Sequence, residues 1–217
     1  MQPDSSSGLN PLKIVTKIES QKRKSGRISI FLDNEFAFGV SIETFNLFRL
    51  SLGQELTDKQ IVIIQQHELF EQAKESAVKY LALRIRSQKE LSQYLLHRKK
   101  YPPAISAHVI QYCLERDYLN DQLFCEVFIR DQLNLSRNGV QKIRRALIVK
   151  GIEAVLINDS ISRLVKDEDQ LKVALNIAKK KALVLKNDPK LRAKLYRFLI
   201  QKGYKHSVVR QVIQKII

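Results

Sequence analysis

The chain has 217 residues, of which 44% are hydrophobic and 28% are charged, and its formal net charge at pH 7 is +16. This composition is ordinary for a globular protein of one or two domains and excludes disorder throughout. No apolar run reaches the length of a transmembrane helix, and the polar start of the chain lacks the features of a signal peptide, so we expect a cytoplasmic protein without a membrane partner.

The positive charge lies almost entirely in the later part of the chain. Residues 1–72 contain 8 basic and 9 acidic side chains, whereas residues 73–217 contain 30 basic and 13 acidic ones. From Gln170 onward there are 13 basic residues and a single acid, Asp188. Such a field attracts a polyanion or an acidic partner surface. A basic face kept only for solubility is the competing interpretation, although such a surface usually mixes both signs.

The beginning of the chain predicts a small β-rich subdomain. Three segments alternate apolar and polar side chains and are rich in Ile, Val and Phe, which predicts an antiparallel sheet. These segments are residues 12–18, 27–32 and 35–40. Asp33-Asn34 lies where a two-residue hairpin turn is needed, and a short helix is predicted from Ser41 to Phe48.

Two polar segments flank the first predicted strand. Residues 1–11 are Ser-rich, and we predict that they are disordered. Residues 22–26 form a basic connection, which is predicted to be a solvated turn, with a phosphate contact as the alternative.

From Thr57 the pattern is helical nearly to the end of the chain. Thr57 with Gln60, and Ser87 with Glu90, have the spacing of capping boxes, which satisfy the free amides at a helix start. The apolar spacing between these two boxes predicts one long helix or a pair of helices. Pro102-Pro103 then ends a helix, and a further helix follows.

An internal repeat organises the helical part. Leu95, Leu147 and Leu199 are separated by 52 residues each, and each is followed by a helix stop such as Lys150-Gly151. A span of this length accommodates three short helices, so we predict three tandem three-helix repeats of the helix-turn-helix kind, stacked into an elongated crescent. The last helix of each repeat is predicted to be supplied by segments that contain Val109, Ile110 and Leu114, then Val155 and Ile161, and then Val208, Val212 and Ile213.

The predicted fold class is therefore mainly α, with a small antiparallel sheet at the N-terminal end. The predicted parts are a disordered tail at residues 1–11, a β-rich subdomain at 12–56, a linker helix with the first repeat at 57–119, the second repeat at 120–165 and the third, strongly basic repeat at 166–217.

No pattern typical of an enzyme, a metal site or a cofactor site is present. The four histidines are dispersed, and no glycine motif for phosphate binding occurs, so we predict no catalytic residue, metal or cofactor. Asp167-Glu168-Asp169 suits the first turn of a helix. Cys113 and Cys125 lie on apolar faces and are predicted to be buried, reduced thiols.

Three segments carry a resemblance to a known family. They are Tyr80-Leu81-x-x-Arg84-x-x-Ser87-x-x-Glu90-Leu91-x-x-Tyr94-Leu95, then Tyr118-Leu119-Asn120-Asp121-x-x-Phe124-x-x-x-Phe128-Ile129-Arg130, and then Gly139-x-x-x-Ile143-x-x-x-Leu147-x-x-x-Gly151-Ile152. In this order they resemble the RecX family of recombination regulators over residues 73–217, and the N-terminal sheet is similar to that of the Gram-positive members. Two residues depart from the family. Cys125 lies where the family usually has alanine, and Tyr101 replaces the small residue that often ends the helix of the first repeat.

The resemblance implies a crescent of repeats that lodges in the groove of a RecA filament on DNA, blocks its extension and activity, and is not an enzyme. We therefore expect a monomer whose partners are the RecA filament and single- and double-stranded DNA, without sequence specificity. A stand-alone or helix-turn-helix DNA-binding protein is the alternative. A nuclease ranks last because its carboxylate cluster is missing.

The candidate contacts with these partners are basic side chains beside the apolar stripes. They are Arg98, Lys99 and Lys100, then Arg130, then Lys142, Arg144, Arg145 and Lys150, and then Lys179, Lys180 and Lys181. Such side chains bind phosphate or carboxylate. Arg84 is expected either to pair with Glu90 or Asp121 between repeats or to contact the partner. Core packing explains the apolar members of the pattern, which are Leu81, Leu91, Leu95, Phe124, Phe128, Ile143 and Leu147.

Overall fold

A computed structural model of the protein describes residues 12–21, 26–186 and 188–217. The predicted disordered tail and most of the basic connection at 22–26 lie outside these residues. The described chain forms two compact units, which are treated separately below. The first comprises the described parts of Met1–Tyr80 together with Tyr94–Tyr112, and the second comprises Leu81–Gln93 and the described parts of Cys113–Ile217.

The first unit contains the predicted antiparallel sheet. Its strands are β1 Lys13–Ser20, β2 Arg27–Leu32, β3 Glu35–Ser41 and β4 Glu55–Leu56, in the order β3-β2-β1-β4. The β2–β3 hairpin has the predicted turn, since Asp33 and Asn34 both have positive φ (50° and 70°). A turn of this kind matches the twist of the two strands. The sequence did not predict β4, because two residues carry no readable alternation.

Two helices complete the β-rich part of the first unit. Helix α1 spans Ile42–Leu47 and is capped by Ser41, whose hydroxyl accepts the Thr44 N–H. Helix α2 spans Asp58–Ala82 as one continuous element, and the predicted capping box at Thr57 is present. The core between sheet and helix contains the buried side chains Val15, Ile30, Leu32, Phe38, Val40, Leu50, Leu56, Ile61 and Ile64.

The remaining helices form the repeats. They are α3 Gln88–Gln93, a π-helical turn Tyr94–Arg98, α4 Pro103–Glu115, α5 Asp121–Asn134, α6 Val140–Val149, α7 Ala154–Leu164, α8 Asp167–Val184, α9 Leu191–Lys202 and α10 His206–Ile216. Helices α5 to α7 surround one apolar core and α8 to α10 surround another. The predicted series of three-helix units is confirmed.

The apolar stripe of the repeat is buried as predicted. The pairs Leu91 and Leu95, Ile143 and Leu147, and Leu195 and Leu199 are at most 1% exposed. Val155 lies in the last helix of its repeat as predicted, but it is 78% exposed, and Ile157 is the buried side chain. Leu81 and Phe128 are half-buried, and Phe128 packs against the core formed by α5 to α7. Cys113 and Cys125 are buried and free, as predicted.

The π-helical turn explains why Tyr101 departs from the family pattern. The Lys99 N–H donates to the Tyr94 carbonyl oxygen (2.9 Å), so the turn accommodates one residue more than an α-helical turn does. The left-handed position that ends the helix therefore falls on Lys100 (φ 59°), whereas Gly151 and Gly203 occupy it in the other repeats (φ 83° and 90°). Tyr101 follows the left-handed residue and needs no small side chain.

Two kinds of feature are absent from the described residues. None of the helices in ranges 12–21, 26–186 and 188–217 is both long and apolar enough to cross a membrane. In the same ranges, His, Cys, Asp and Glu side chains form no group of three or more that could hold a metal ion.

Candidate functional site

Helix α6 carries the central group of candidate basic residues, and its N-terminal end is joined to the C-terminal end of α9. The Gly139 N–H donates to the Lys202 carbonyl oxygen (2.8 Å), and the Gln141 N–H donates to the Gly203 carbonyl oxygen (3.0 Å). Free amides at one helix start thus satisfy free carbonyls at another helix end. The partial charges of the two helix ends are also complementary.

This junction has room only for glycine at two positions. A Cβ atom on Gly139 would lie 2.4 Å from the carbonyl carbon of Gly203, and one on Gly203 would lie 2.4 Å from the Cβ of Lys142. The Tyr204 hydroxyl donates to the Arg137 carbonyl oxygen (2.9 Å) and closes the same contact from one side. Burial raises the pKa of Tyr204 to about 12, so the phenol stays a donor at neutral pH.

The other end of α6 is joined to the start of α3 within the second unit. The Ser87 hydroxyl donates to the Lys150 carbonyl oxygen (2.8 Å) and accepts the Glu90 N–H (3.2 Å). Gly151 follows in the left-handed conformation, and a Cβ atom there would lie 2.7 Å from the side chain of Lys89. Helices α9, α6 and α3 are therefore connected end to end, and we call them the α9–α6–α3 series.

Glu90 is the charged centre of the junction between α6 and α3. Its carboxylate pairs with Lys150 (2.5 Å) and with Arg84 (3.1 Å), and its side chain is only 11% exposed. Burial by itself would raise the pKa of Glu90, but hydrogen bonds from Arg84 and Lys150 lower it to about 2. Arg84 thus pairs with one of its two predicted partners. The other, Asp121, accepts the Gln88 N–H (2.8 Å) at the start of α3.

On α6 the candidate side chains have different surroundings. Lys142 and Arg145 are exposed, and Arg145 donates through Nε to the carbonyl oxygen of Gln141 one turn earlier (3.2 Å). Arg144 is half-buried and donates to the side-chain oxygen of Asn158 on α7. Lys142 and Arg145 are consequently the α6 cations most accessible to a partner.

Lys150 and Arg130 are paired with acidic residues of the same unit. The ammonium group of Lys150 pairs with Glu90, so its charge is largely used at the α6–α3 junction. Arg130 lies 3.8 Å from Glu126, which also binds Arg163 (3.0 Å). Hydrogen bonds from Gln122 and then Arg163 lower the pKa of Glu126. These ion pairs weaken the attraction of Lys150 and Arg130 for a polyanion, although Arg130 remains exposed to solvent.

The other candidate residues fall into two groups. Lys179, Lys180 and Lys181 lie near the C-terminal end of α8, where positive charge is favourable, and the first two are exposed. Arg98, Lys99 and Lys100 belong to the first unit and are exposed. Lys99 lies 5.8 Å from the ring centroid of Tyr94, which stacks on Tyr80 at 3.8 Å.

Two open grooves in the second unit are lined in part by α6. One, of about 360 Å³, includes Arg144, Asn158, Asp167 and Lys205, and the other, of about 560 Å³, is lined by Gln141, Arg145, Ile200, Tyr204, Lys205, His206 and Ser207. The cations of these grooves, Arg144, Arg145 and Lys205, can bind an anionic group. Sequence reasoning missed residues 205–207, although their position after the Gly203 stop was a usable signal.

Comparison with known proteins gives one consistent result along the chain. The Regulatory protein RecX N-terminal domain matches residues 13–57, and the first, second and third RecX three-helix domains match residues 73–113, 120–161 and 167–213. The regulatory protein RecX of Clostridium beijerinckii is 34% identical over 207 residues, which cover 94% of this chain and 95% of the relative. That of Staphylococcus haemolyticus is 33% identical over 204 residues, covering 93% and 75%.

Solved structures agree with the sequence relatives. A crystal structure of regulatory protein RecX superposes with a TM-score of 0.75 at 27% identity and covers 94% of this chain and all of that one. RecX from Lactobacillus salivarius, at 23% identity and a TM-score of 0.63 over 69% of this chain, supports the fold. Since the domains match in order and relatives above 30% identity span nearly the full length, this chain belongs to the RecX family of regulatory proteins.

Proposed function

We propose that this protein is a negative modulator of homologous recombination and DNA repair. It binds in the groove of a RecA filament on DNA, blocks extension of the filament, and inhibits ATP hydrolysis and strand exchange. In this role it acts as a cytoplasmic monomer, carries no cofactor and catalyses no reaction. Membership of a family of regulatory proteins supports this proposal at the coarsest level.

The observation that carries the proposal is the basic surface of α6. Lys142 and Arg145 project from a helix whose two ends are held by hydrogen bonds to α9 and α3, so their backbone positions are fixed. Binding groups on a rigid helix lose little conformational freedom when a partner is bound. A set of cations at fixed positions fits a regular partner with repeated acidic or phosphate groups, such as a protein filament on DNA.

The third repeat supports a direct contact with DNA. From Gln170 to the C terminus it has 13 basic residues, and its one acid, Asp188, pairs with Lys194. Contacts between lysine or arginine side chains and DNA phosphates contribute affinity without sequence specificity. The alternative function, a stand-alone DNA-binding protein, rests on the same charge and differs by needing no recombinase.

Titration of the protein into a RecA ATPase reaction stimulated by single-stranded DNA tests the proposal. A filament inhibitor lowers the rate when there is much less than one molecule per recombinase subunit, because one bound molecule affects many subunits. The reaction should be repeated with DNA in large excess. A protein that merely sequesters DNA loses its effect there, and that result, or inhibition only at stoichiometric protein, would contradict the proposal.

A further inference from the structure

Helices α9 and α10 form a helix-turn-helix pair. Residues 203–205 connect them, and the turn begins at Gly203 in the left-handed conformation. One side of α10 is buried against α8 and α9 through Val208, Val209, Val212 and Ile213. A pair with this connection can place its second helix against a partner, provided that the opposite side of that helix has suitable chemistry.

The opposite side of α10 is made of side chains that form hydrogen bonds. Ser207, Arg210, Gln211 and Gln214 have the spacing of one helical face, and all four are exposed. None of them is acidic. Lys205 precedes the helix, but its ammonium group pairs with Asp167 at 3.0 Å. Lys215 lies in the last turn and is exposed, so positive charge borders the C-terminal end of this face. We call these four residues the α10 face.

The second repeat gives an internal comparison, because the repeat length of 52 residues aligns α10 with α7. The buried residues correspond, since Ile157 and Ile161 of α7 align with Val209 and Ile213 of α10, and all four are buried. The two helices therefore present equivalent sides to their cores, and their exposed sides can be compared position by position.

The exposed sides of α7 and α10 differ in chemistry. The α10 face aligns with Val155, Asn158, Asp159 and Ser162 of α7. There the surface contains an exposed valine and an aspartate that pairs with Arg163 at 3.0 Å. The same scaffold thus accommodates a different surface, and the fold does not require the arginine and glutamines of α10.

The chemistry of the α10 face matches duplex DNA better than an acidic protein surface. The major groove of B-form DNA admits one α-helix. Arginine pairs with the acceptor edge of guanine, and glutamine pairs with the donor and acceptor edge of adenine. An acidic protein surface would satisfy the arginine but would leave the carbonyl groups of Gln211 and Gln214 without charged donors. Lys215, beside this face, can supply a contact with a phosphate at the edge of the groove.

We propose that α10 enters the major groove of duplex DNA, with Arg210 and Gln211 at base edges and with Lys215 at a phosphate. This inference deepens the DNA contact of the proposed function and rests on it. One helix with two base-contacting side chains meets too few base pairs to select a unique site, so binding by the whole protein stays sequence-independent. The partner is double-stranded, and the third repeat is the part that holds it.

The test measures affinity for a labelled duplex of mixed sequence in the absence of any recombinase. A second duplex carries glucosylated hydroxymethylcytosine, which fills the major groove and leaves the phosphates unchanged. The unaltered protein should bind the modified duplex about tenfold more weakly than the plain one, because α10 can no longer enter. Arg210→Ala should weaken binding to the plain duplex about fivefold and narrow the difference between the duplexes to about twofold, because Gln211 remains in the groove.

Two further variants separate groove contact from charge alone. Arg192→Ala removes one exposed positive charge from α9 in the same repeat, and it should weaken binding to both duplexes equally, by about twofold to threefold. Arg210→Lys keeps the charge but loses the forked donor geometry, so it should bind the plain duplex several-fold more weakly. Thermal unfolding confirms that each surface variant is folded.

The opposite results overturn the inference. One is equal affinity of the unaltered protein for both duplexes. The other is an equal loss of affinity for the plain duplex in Arg210→Ala and Arg192→Ala. Loss of filament inhibition by Arg210→Ala with unchanged duplex binding also overturns it and assigns the α10 face to an acidic protein surface. Because no recombinase is present in the binding assay, this inference can fail while the ATPase inhibition of the proposed function persists.

Discussion

The Ser87 hydroxyl donates a hydrogen bond to the carbonyl oxygen of Lys150 at 2.8 Å, across 63 residues of sequence. Ser87 is also the cap of α3, so one side chain both starts a helix and satisfies the end of α6. The Lys150 ammonium reaches Glu90 three residues further along α3. A residue that sequence reasoning placed at the partner surface therefore connects two helices of the second unit.

Glu90→Gln should destabilise the protein in a pH-dependent way. The variant keeps the shape of the side chain but loses two charged contacts, so we expect the free energy of unfolding at pH 7 to fall by about 2 kcal/mol, with allowance for the partial exposure of Lys150 and Arg84. The pKa of Glu90 is lowered from 4.5 to about 2, so its stabilising effect is present above about 4.5 and disappears as pH falls toward 2.

Urea unfolding of the unaltered protein and the variant, followed between pH 7 and pH 3, provides the measurement. The gap between the two midpoints should narrow as pH falls. Glu75→Gln is the matched control, because Glu75 forms an exposed pair with Lys79, and its effect should stay below about 0.5 kcal/mol. A gap that stays constant with pH would show that the Glu90 carboxylate is not what holds the junction.

Gly139→Ala should destabilise the second unit by about 3 kcal/mol. The added methyl group would lie 2.4 Å from backbone atoms of Gly203 and Tyr204, and these atoms cannot move without separating α6 from α9. Gly53→Ala is the control, because Gly53 has positive φ but open space around it, and it should cost only about 1 kcal/mol. Chemical denaturation measures the free energy of unfolding of both variants. Equal losses would mean that the α9–α6 junction can accommodate the added methyl group by a small backbone movement.

Local sequence signals predicted the features that neighbouring residues decide. The Asp33-Asn34 turn, the capping boxes and the buried leucines of the repeat depend on residues a few positions apart, and each is present. The apolar character of Val155 correctly places it in a helix but does not give its side of that helix, since Ile157 is buried and Val155 is exposed. The strand β4 has two residues and gives no pattern of its own.

Contacts between distant segments could not be predicted in the same way. The residues near Lys150 in the sequence do not predict its ion pair with Glu90, which lies 60 residues away. The close approach of Gly139 to Gly203 likewise forms only after both repeats have folded. The π-helical turn that moves the left-handed residue to Lys100 depends on a single extra residue within a helix. The sequence identifies the basic candidate residues by their charge, but it does not show which of them form ion pairs within the protein. Their contacts with partners stay predictions.

Replacing Lys142, Arg144 and Arg145 together by alanine should weaken filament inhibition by about tenfold or more without unfolding the protein. Lys142 and Arg145 are exposed, and Arg144 contributes one contact with Asn158, so a small decrease in the unfolding temperature is the only structural effect expected. The ATPase titration gives the concentration for half inhibition.

The matched control replaces Lys17, Lys59 and Lys79, three exposed cations of the first unit, and should inhibit normally. Normal inhibition by the α6 variant would remove these residues from the interface.

DNA binding by the protein alone should be independent of sequence and should fall steeply with salt. Each cation that neutralises a phosphate releases about one counterion, so the logarithm of affinity decreases linearly with the logarithm of salt concentration. Lys179, Lys180 and Lys181 replaced by alanine should reduce that slope by about two to three, because Lys179 and Lys180 are exposed and Lys181 is half-buried. Fluorescence anisotropy at several salt concentrations measures the slope on two unrelated duplexes. A salt-insensitive footprint at one preferred sequence would instead favour a conventional helix-turn-helix DNA-binding protein, because base contacts would then outweigh the phosphate contacts that the basic third repeat implies.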